Sequence, residues 1–392
     1  MPTWEVIVVG LGGMGSAVVA HLARRGQRVL GLDRHAPPHD RGSSHGMTRV
    51  IRQAYFEHPA YVPLLLRAYD LWRELESEEE QPLLLLPGGL MMGAPDSAVV
   101  QGSLGSARRY GLAHDALETR DLRRRFPQFV VPDGTVALFE KAAGLVYCER
   151  AIEAHLRRAT RHGAALSLHE PVISWRETVS GVEVVTSKRR LEAGQLVITP
   201  GPWAPELLRD LGVPFTVERQ VLAWFEPSAG VEPFLPDRFP IYIWERTPDC
   251  TPYGFPAVDG ATGGVKIALY RSPEIEVCTP ETVDRTWRAR DESRLRAVAA
   301  EFLPGLGGRL VKGAVCLYTL TPDLNFVIDR HPGTERVTVA AGFSGHGYKF
   351  CSVVGEVVAD LVTTGRSPFD LSLFRAARFG TVASGSAGPT SA

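Results

Sequence analysis

Three glycines near the start of the chain, Gly10, Gly12 and Gly15, have the spacing GxGxxG and are the first residues whose arrangement suggests chemistry. Glycine at these positions lets the backbone turn tightly and approach a pyrophosphate, to which the following helix offers free N–H groups and its positive dipole end. Asp33 follows 18 residues after Gly15, where an acidic side chain can hold a ribose hydroxyl. The pattern therefore predicts a dinucleotide site rather than a βαβ unit without a ligand.

Lysine is scarce in this chain, which makes each lysine informative. Of the 43 basic residues, the lysines are only Lys141, Lys188, Lys266, Lys312 and Lys349, and the others are arginine. Because arginine is used by default, a lysine indicates a place where a compact ammonium group is needed. Lys266 follows two glycines in a predicted strand, and Lys349 follows a second glycine-rich turn. Both are candidates for a site, although each is also compatible with an ordinary surface charge.

The elements that must position these residues begin with a βαβ unit. A strand over 5–10 leads into the glycines, a helix over 16–25 follows, and a second strand over 28–32 ends at Asp33. Near the other end of the chain, a strand over 337–341 leads through a glycine-rich turn into a helix. The two halves of the nucleotide site are therefore expected far apart in sequence.

Between these halves the pattern changes. Residues 218–270 alternate at period two and predict an antiparallel sheet, whereas 95–127, 204–211 and 280–302 have helical patterns. We expect an α/β (α+β) fold in which a discontinuous nucleotide-binding domain carries an inserted antiparallel-sheet domain. The expected ranges are 1–83, 143–217 and 321–378 for the first domain, 84–142 and 218–320 for the second, and 381–392 for a disordered tail.

Composition excludes several classes of protein. The 392 residues carry 43 basic and 44 acidic side chains, so no global positive field favours nucleic acid. No uncharged apolar run approaches the roughly 20 residues of a membrane span, and the N-terminus does not resemble a signal peptide. The five cysteines are odd in number and lack a CxxC pair, so we expect no metal site, no disulfide framework and a cytoplasmic location.

Five further motifs carry a family resemblance. They are HGMTRVIR at 45–52, YGFP at 253–256, GAVCLYT at 313–319, GFSGHGYKF at 342–350 and FDLSLF at 369–374. Together with the glycines they resemble the monomeric sarcosine oxidase family, which includes N-methyltryptophan oxidase and pipecolate oxidase. The resemblance runs in order from about residue 5 to residue 378.

The resemblance implies a monomeric FAD-dependent amine oxidase with a glutathione-reductase-like fold. FAD would be attached covalently to Cys316, and a secondary amino acid would be oxidised at its C–N bond, the imine hydrolysed, and O₂ reduced to H₂O₂. With sarcosine, the products would be glycine and formaldehyde. Without the motif, Cys316 would be interpreted as a small buried apolar residue, which is what most free cysteines are.

The resemblance also implies roles for the charged residues. Arg52 and Lys349 would hold the substrate carboxylate, since a planar guanidinium grips it bidentately and an ammonium adds a point charge. Lys266 would stabilise the charge that develops when O₂ is reduced. Arg49 would raise the electron affinity of the flavin, with His45 beside it. The expected aromatic walls around an N-methyl group are Tyr55, Tyr253 and Tyr318, and Tyr253 is also a catalytic candidate. Tyr270 is a further substrate-binding candidate, which would narrow the pocket or alter its polarity.

Cofactor contacts are expected along the whole nucleotide domain. Backbone N–H groups around His346 and the helix dipole would favour negative charge on the reduced flavin. The candidate cofactor residues are Gly10, Gly12, Met14, Gly15, Asp33, Arg34, Ser43, Ser44, Arg49, Val172, Gly201, Trp203, Cys316, Gly342, Gly345, His346, Gly347 and Lys349.

Two departures from the family pattern leave the substrate open. Met47 stands where relatives often have aspartate, and Tyr270 stands where sarcosine oxidases commonly have histidine. Sarcosine is the leading candidate, with N-methyltryptophan, L-proline and pipecolate as alternatives. A flavin dehydrogenase that does not use O₂ and a non-enzymatic flavin-binding subunit are the other hypotheses.

Overall fold

A computed structural model describes residues 3–380, so the tail predicted at 381–392 lies outside the described residues. The helices within that range are α1 (Gly13–Arg24), α2 (Val62–Glu79), α3 (Ala98–Tyr110), α4 (Thr119–Arg125), α5 (Cys148–Arg161), α6 (Ala204–Leu207), α7 (Ala289–Phe302) and α8 (Cys351–Thr364). The strands are β1 (Trp4–Val9), β2 (Val29–Leu32), β3 (Thr48–Ile51), β4 (Leu84–Leu85), β5 (Gly89–Gly93), β6 (Asp115–Leu117), β7 (Val136–Glu140), β8 (Gly144–Tyr147), β9 (Ala165–Ser167), β10 (Val172–Glu177), β11 (Val182–Thr186), β12 (Arg190–Ile198), β13 (Thr216–Phe225), β14 (Ile241–Glu245), β15 (Thr251–Phe255), β16 (Val265–Arg271), β17 (Leu310–Leu320), β18 (Val327–Arg330) and β19 (Val337–Ala341).

The first sheet has a parallel centre built on β1. Val9 pairs with Leu32 of β2 on one side and with Ile198 of β12 on the other, and β12 in turn pairs in parallel with β19. Val6 and Val8 belong to the core under α1, α5 and α8, while Ile7 and Val9 belong to the core on the opposite face. Burial on both faces explains the continuous apolar run of β1. The expected α/β fold with a Rossmann-like nucleotide domain is confirmed.

The second sheet has the order β17-β13-β16-β15-β14-β5-β7-β6. The sequence predicted an antiparallel arrangement over 218–270, and the strands of that range do pair antiparallel with one another. The expectation is incomplete, because β14 also pairs in parallel with β5, which comes from much earlier in the chain. Period-two alternation indicates which face a residue occupies, but it carries no information on the direction of the neighbouring strand.

A third, small sheet has three strands. β3 lies in the order β3-β8-β4 and pairs antiparallel with β8, so that Arg49 stands opposite Val146. Arg52 follows directly after β3. Two of the predicted site cations therefore come from one short strand and its first following residue.

Three of the predicted helices are shorter than expected. The helix expected over 95–127 is broken by Gly111, whose positive φ of 62° ends α3, and β6 and α4 follow. The helix expected over 280–302 begins only at Ala289, where the Asp291 side chain caps the N–H of Arg288. The helix expected over 204–211 ends at Leu207. Helical periodicity in charged segments does not distinguish a helix from turns that place charges at similar intervals.

Of the helices within residues 3–380, none has both the length and the apolar character that crossing a bilayer requires. The division of the chain into two domains remains a prediction.

Candidate active site

One cavity, here called the nucleotide cavity, lies where β1 runs into α1. Gly10 has φ of +85°, and a Cβ atom there would lie 2.3 Å from the Thr199 carbonyl oxygen. A Cβ atom on Gly15 would lie 1.7 Å from the carbonyl oxygen of Gly10, so only glycine allows α1 to pack this closely against the turn. Gly12 faces the cavity itself, with Ser44 Oγ 3.7 Å from the position of a Cβ atom. The bare backbone leaves room for a ligand at the positive end of α1.

Asp33 is buried at the end of β2 and fixes the floor of the nucleotide cavity. Its two carboxylate oxygens accept hydrogen bonds from the N–H groups of Leu11, at 2.6 Å, and His35, at 2.7 Å. His39 Nε2 lies 3.6 Å away. The carboxylate thus ties the glycine turn to the second strand and remains beside the cavity, as the position of a ribose-binding acid requires.

Most of the predicted cofactor residues meet at this cavity, whose volume is about 160 Å³. Those that line it are Gly10, Gly12, Met14, Asp33, Arg34, Ser43, Ser44, Arg49, Val172, Gly201, Trp203, Gly342, Gly345 and Gly347. Gly15 and Cys316 are not among the residues that line the nucleotide cavity. His346 and Lys349 line a second cavity. The nucleotide cavity is also lined by residues that the sequence analysis did not assign to the cofactor, among them His39, Glu170, Thr199, Ser344, Tyr348 and Cys351.

Cys316 is buried in β17 beside the nucleotide cavity. Arg49 Nη2 donates a hydrogen bond to its Sγ atom at 3.4 Å. Burial by itself would raise the pKa of the thiol, but His45 and Arg49 outweigh it and lower that pKa to about 6. A lowered pKa favours the thiolate, which is the nucleophilic form of a cysteine.

The second cavity, here called the inner cavity, has a volume of about 50 Å³ and adjoins the first. Both cavities are lined by Arg49, Tyr318, Gly345 and Tyr348. The other walls of the inner cavity are formed by Val50, Arg52, Phe56, Glu57, Ile243, Tyr253, Tyr270, His346 and Lys349.

Arg52 is the most deeply buried cation of the inner cavity. Its Nη2 donates to Glu57 Oε2 at 2.5 Å, and its Nη1 donates to the Ala54 carbonyl oxygen at 3.0 Å. The guanidinium carbon lies 4.2 Å from the ring centres of both Tyr55 and Phe56. Among the described residues, Arg52 Nε finds no hydrogen-bond acceptor. One donor of a buried guanidinium is therefore left for a ligand.

Lys349 is the second cation of this cavity. Its Nζ donates to the His346 carbonyl oxygen at 2.6 Å. Burial, together with repulsion from Arg52, lowers the pKa of Lys349 to about 7. Burial by itself would raise the pKa of the Glu57 carboxyl, but the charge and hydrogen bond of Arg52, together with the charge of Lys349, lower that pKa, so Glu57 provides one negative charge. Arg52 and a protonated Lys349 thus face a single carboxylate, which leaves net positive charge for an anionic group of a ligand.

The four predicted tyrosines separate into two groups. Tyr253, Tyr270 and Tyr318 line the inner cavity, with the hydroxyls of Tyr253 and Tyr318 3.5 Å apart. Tyr55 lies behind Arg52 and donates its hydroxyl proton to His346 Nδ1 at 2.5 Å. The sequence predicted Tyr55, Tyr253 and Tyr318 as pocket walls or core residues, and Tyr55 is a core residue, because β3 and the turn after it direct its side chain inward.

His346 is held as the neutral imidazole. Its Nε2 lies 2.9 Å from the Leu324 carbonyl oxygen, so Nε2 is assigned the proton and Nδ1 accepts from Tyr55. Burial lowers the pKa of His346 to about 4. Its side chain therefore contributes hydrogen bonds rather than charge, next to the backbone N–H groups of the glycine-rich turn.

Lys266 and His45 lie behind the cavity walls. Lys266 Nζ donates to the carbonyl oxygens of Gly46, at 2.7 Å, and Thr48, at 2.8 Å, and also contacts Thr48 Oγ1 at 3.2 Å. Burial, followed by repulsion from Arg49, lowers the pKa of Lys266 to about 7. The ammonium group thus holds the loop that leads to Arg49. Among the described residues, His45 Nε2 has no hydrogen-bond partner.

The sequence analysis did not identify Glu57, the acidic residue of the inner cavity. Glu57 follows Arg52 by five residues, and only the turn between them brings the two side chains together. Neither helical nor strand periodicity predicts that contact. Within residues 3–380, no three His, Cys, Asp or Glu side chains are grouped so that they would hold a metal ion.

Comparison with known proteins gives a consistent result. The model of the family described as FAD dependent oxidoreductase matches residues 5–361. The chain is 52% identical over 374 residues to "Monomeric sarcosine oxidase" from Streptomyces avermitilis, covering 95% of this chain and 97% of that protein. It is 36% identical to "N-methyl-L-tryptophan oxidase" from Salmonella dublin, covering 96% and 99%. Among solved structures, NikD, described as an unusual amino acid oxidase, superposes with a TM-score of 0.83 at 26% identity, covering 96% and 98%.

Proposed function

Since this chain belongs to the FAD-dependent oxidoreductase family, we propose that it is an oxidase of secondary amino acids whose principal substrate is sarcosine. The reaction would convert sarcosine, O₂ and water to glycine, formaldehyde and H₂O₂. The 52% identity to a monomeric sarcosine oxidase over nearly the whole chain supports this reading.

The single observation that carries the proposal is the pair of buried cations in the inner cavity. An amino acid brings a carboxylate, and Arg52 with Lys349 offers a planar grip and a point charge within a cavity that adjoins the nucleotide cavity. The Nε–H of Arg52, which has no partner among the described residues, provides one hydrogen-bond donor for that carboxylate. Substrate would be held with its amine end toward Tyr253 and Tyr318.

The size of the inner cavity favours a small substrate. Its volume of about 50 Å³ corresponds to roughly three to five water molecules. Sarcosine, with six non-hydrogen atoms, is the smallest of the four candidate substrates. Three tyrosine rings offer apolar faces to an N-methyl group while their hydroxyls remain available for hydrogen bonds.

The residues of the nucleotide cavity fit FAD. Gly12 and Gly201 leave open backbone where a Cβ atom would intrude, Asp33 stands at the ribose position, and Arg34 lies at the rim beside Trp203. FAD bound there supplies a two-electron acceptor for the substrate and a donor to O₂. We propose that Cys316 holds it covalently, as the lowered pKa and the Arg49 contact support.

The remaining charged groups are assigned by their surroundings. Arg49 lines both cavities and places a permanent positive charge between them. Lys266, fixed by two carbonyl oxygens next to Arg49, is proposed to stabilise the negative charge that develops on oxygen. A neutral His346 would orient Tyr55 and the glycine-rich turn rather than transfer a proton.

The finer assignments are part of the same proposal. The names of the relatives support a monomer that acts on small molecules, and a cytoplasmic location is our inference from the cysteine pattern. N-methyltryptophan oxidation is the second candidate, supported by the Salmonella relative. A dehydrogenase that does not use O₂ is disfavoured by the presence of Lys266 and Cys316 together.

The test is an oxygen-electrode panel of sarcosine, L-proline, L-pipecolate and N-methyl-L-tryptophan, with H₂O₂ and formaldehyde measured in parallel. Sarcosine is expected to give the highest kcat/KM. Flavin bleaching by a substrate under nitrogen, without O₂ uptake in air, would identify a dehydrogenase instead. No reaction with any of the four would remove secondary amino acids from the proposal.

A further inference from the structure

A carboxylate accepts backbone hydrogen bonds at each end of the segment that carries the site cations: Glu149, which is partly buried, at one end, and Glu140, which is fully buried, at the other. This segment, residues 45–54, is here called the cation segment and contains His45, Arg49 and Arg52. At its start, Glu149 Oε1 accepts the N–H groups of Gly46, at 2.7 Å, and Met47, at 3.1 Å. Glu149 comes from the first turn of α5, not from the cation segment itself.

The turn that Glu149 holds is conformationally unusual. Gly46 has φ of +90° and Met47 has φ of +69°, the left-handed region that a side chain such as that of methionine rarely occupies. Such residues direct successive N–H groups toward one point and form a natural anion-binding concavity. Lys266 completes the arrangement by donating to the carbonyl oxygens of Gly46 and Thr48. A negative group thus fixes the donors of the turn, and a positive group fixes its acceptors.

Glu140 accepts backbone hydrogen bonds at the other end of the cation segment. It is the last residue of β7 in the second sheet and is fully buried. Its Oε1 accepts the N–H of Gln53 at 2.8 Å, and its Oε2 accepts the N–H of Ala54 at 2.9 Å. The Ala54 carbonyl oxygen then accepts from Arg52 Nη1 at 3.0 Å. Glu140 therefore sets the peptide that anchors the Arg52 guanidinium.

The two carboxylates affect different cations. Glu149 fixes the turn bonded to Lys266, two residues before Arg49, which contacts Cys316. Glu140 fixes the peptide bonded to Arg52, which lines the inner cavity. Neither acid lines the nucleotide cavity or the inner cavity as described. Each acts through backbone groups, so its removal changes the geometry of cations that it does not touch through side-chain bonds.

We propose that Glu149 and Glu140 are separate positioning residues, Glu149 for the cations beside Cys316 and the flavin, and Glu140 for the cation that holds the substrate carboxylate. This inference rests on the proposed function for its kinetic readouts. In this proposal, the two ends of the cation segment serve different half-reactions.

The hydrogen-bond geometry gives distinct expectations for substitution. Glu140 uses both carboxylate oxygens, so E140Q turns an NH₂ group against a backbone N–H and breaks one bond. Glu149 accepts both backbone donors on a single oxygen, so E149Q keeps that acceptor while E149A removes it. We therefore expect E140Q to be impaired, E149A to be impaired and E149Q to be much milder than E149A.

The experiment uses the flavin-loaded full chain and compares E140Q, E149A and E149Q with wild type. KM and kcat for sarcosine, anaerobic flavin reduction, reoxidation by O₂ and the flavin absorbance spectrum are measured for each. E153Q is the matched control, because Glu153 lies on the same helix as Glu149 and is exposed. Titration with acetate, followed by flavin absorbance, reports carboxylate binding without turnover.

E140Q is expected to weaken sarcosine and acetate binding about tenfold or more, with reoxidation within about twofold of wild type. E149A is expected to slow reoxidation about tenfold or more and to alter the flavin spectrum, with acetate affinity nearly unchanged. E149Q should recover most of that loss, and E153Q should match wild type. Equal damage to both readouts in E140Q and E149A would overturn the proposal and leave the acids a purely structural role.

Two further outcomes are decisive. If E140Q does not fold, E140D replaces it, because the shorter aspartate keeps the carboxylate but reaches fewer of the backbone N–H donors. E140D should show the same binding defect. If neither variant folds, the positioning role is also overturned. If wild type oxidises no secondary amino acid, the proposed function fails. The acetate titration and the flavin spectrum then still decide whether the two acids act on separate sites.

Discussion

Arg49 and Cys316 are joined by a hydrogen bond of 3.4 Å from the guanidinium Nη2 to the Sγ atom. The contact links the small sheet to β17 of the second sheet and places a fixed positive charge against a buried thiol. Arg49 also lines both cavities, so the same guanidinium faces the nucleotide cavity, the inner cavity and the candidate attachment point.

Cys316→Ser is expected to release the flavin. Wild-type protein precipitated with acid should keep its yellow colour in the pellet, whereas the variant should leave FAD in the supernatant. Cys351→Ser is the matched control: Cys351 also lies at the nucleotide cavity, but burial raises its pKa well above the ordinary value, so it remains a thiol. Complete release of FAD from denatured wild type would refute the covalent link.

Arg52→Ala is expected to raise KM for sarcosine strongly, because a buried carboxylate would lose its hydrogen-bonded partner at a cost on the order of 2–5 kcal/mol. Arg52→Lys should recover only part of this, since an ammonium cannot grip a carboxylate bidentately. Steady-state kinetics over a wide substrate range measures both. An unchanged KM in the alanine variant would remove Arg52 from the carboxylate site.

Lys266→Met and Lys349→Met are expected to damage opposite half-reactions. Lys266→Met should slow reoxidation of the reduced flavin by about 10²–10³, because a preorganised charge is lost where negative charge develops. Lys349→Met should weaken substrate binding and leave reoxidation near normal. Stopped-flow flavin absorbance follows each half separately. Equal losses in both halves of the Lys266 variant would contradict the oxygen role.

Tyr270→Ala is expected to change substrate preference. Tyr270 lines the inner cavity and packs edge-on against Phe56, at 6.3 Å between ring centres. Removing the ring should raise the ratio of kcat/KM for N-methyl-L-tryptophan to that for sarcosine, and Tyr270→Phe should leave the ratio near wild type. The same ratio in all three proteins would show that Tyr270 does not limit substrate size.

His155 is expected to make the protein sensitive to acid. Burial, with repulsion from Arg158, lowers its pKa to about 3. The folded pKa lies below the unfolded value of about 6.5, so the stabilisation is complete above that pH and is lost as the pH falls toward 3. At pH 4.5 the loss is about 2–3 kcal/mol relative to pH 7.

Urea unfolding at pH 7 and pH 4.5 measures this effect. His155→Phe should lose less stability between the two pH values than wild type does, whereas replacement of the exposed His162 by Gln should change nothing. An equal pH dependence in wild type and the His155 variant would refute it.

The sequence predicted the nucleotide half of the molecule well, for physical reasons. GxGxxG, Asp33 and the apolar strands depend on local backbone geometry and burial, which leave a direct pattern in the residues. Arg52 and Lys349 were assigned through motif resemblance, and both line the inner cavity. Their roles, like those of the other predicted site residues, remain predictions.

What the sequence did not predict depends on contacts between distant or irregular segments. The pairing of Glu57 with Arg52 requires the turn at 53–56, and the position of Tyr55 in the core requires the same turn. The hydrogen bonds of Glu140 and Glu149 connect β7 and α5 to the cation segment. No periodic pattern in the sequence indicates these contacts. The parallel pairing of β5 with β14 likewise follows from tertiary structure alone.

The place of β1 in the first sheet has a consequence for biosynthesis. Val9 pairs with Leu32 soon after it is made, but its other neighbour, Ile198, is 189 residues further along the chain. At roughly 5–20 residues per second, one edge of this strand, whose residues Val6–Val9 are all apolar, waits about 10–40 s on the ribosome for its partner. Chains that stop before β12 would therefore expose an open, aggregation-prone edge at the centre of the future sheet, and their recovery should depend on chaperones far more than that of the full-length chain.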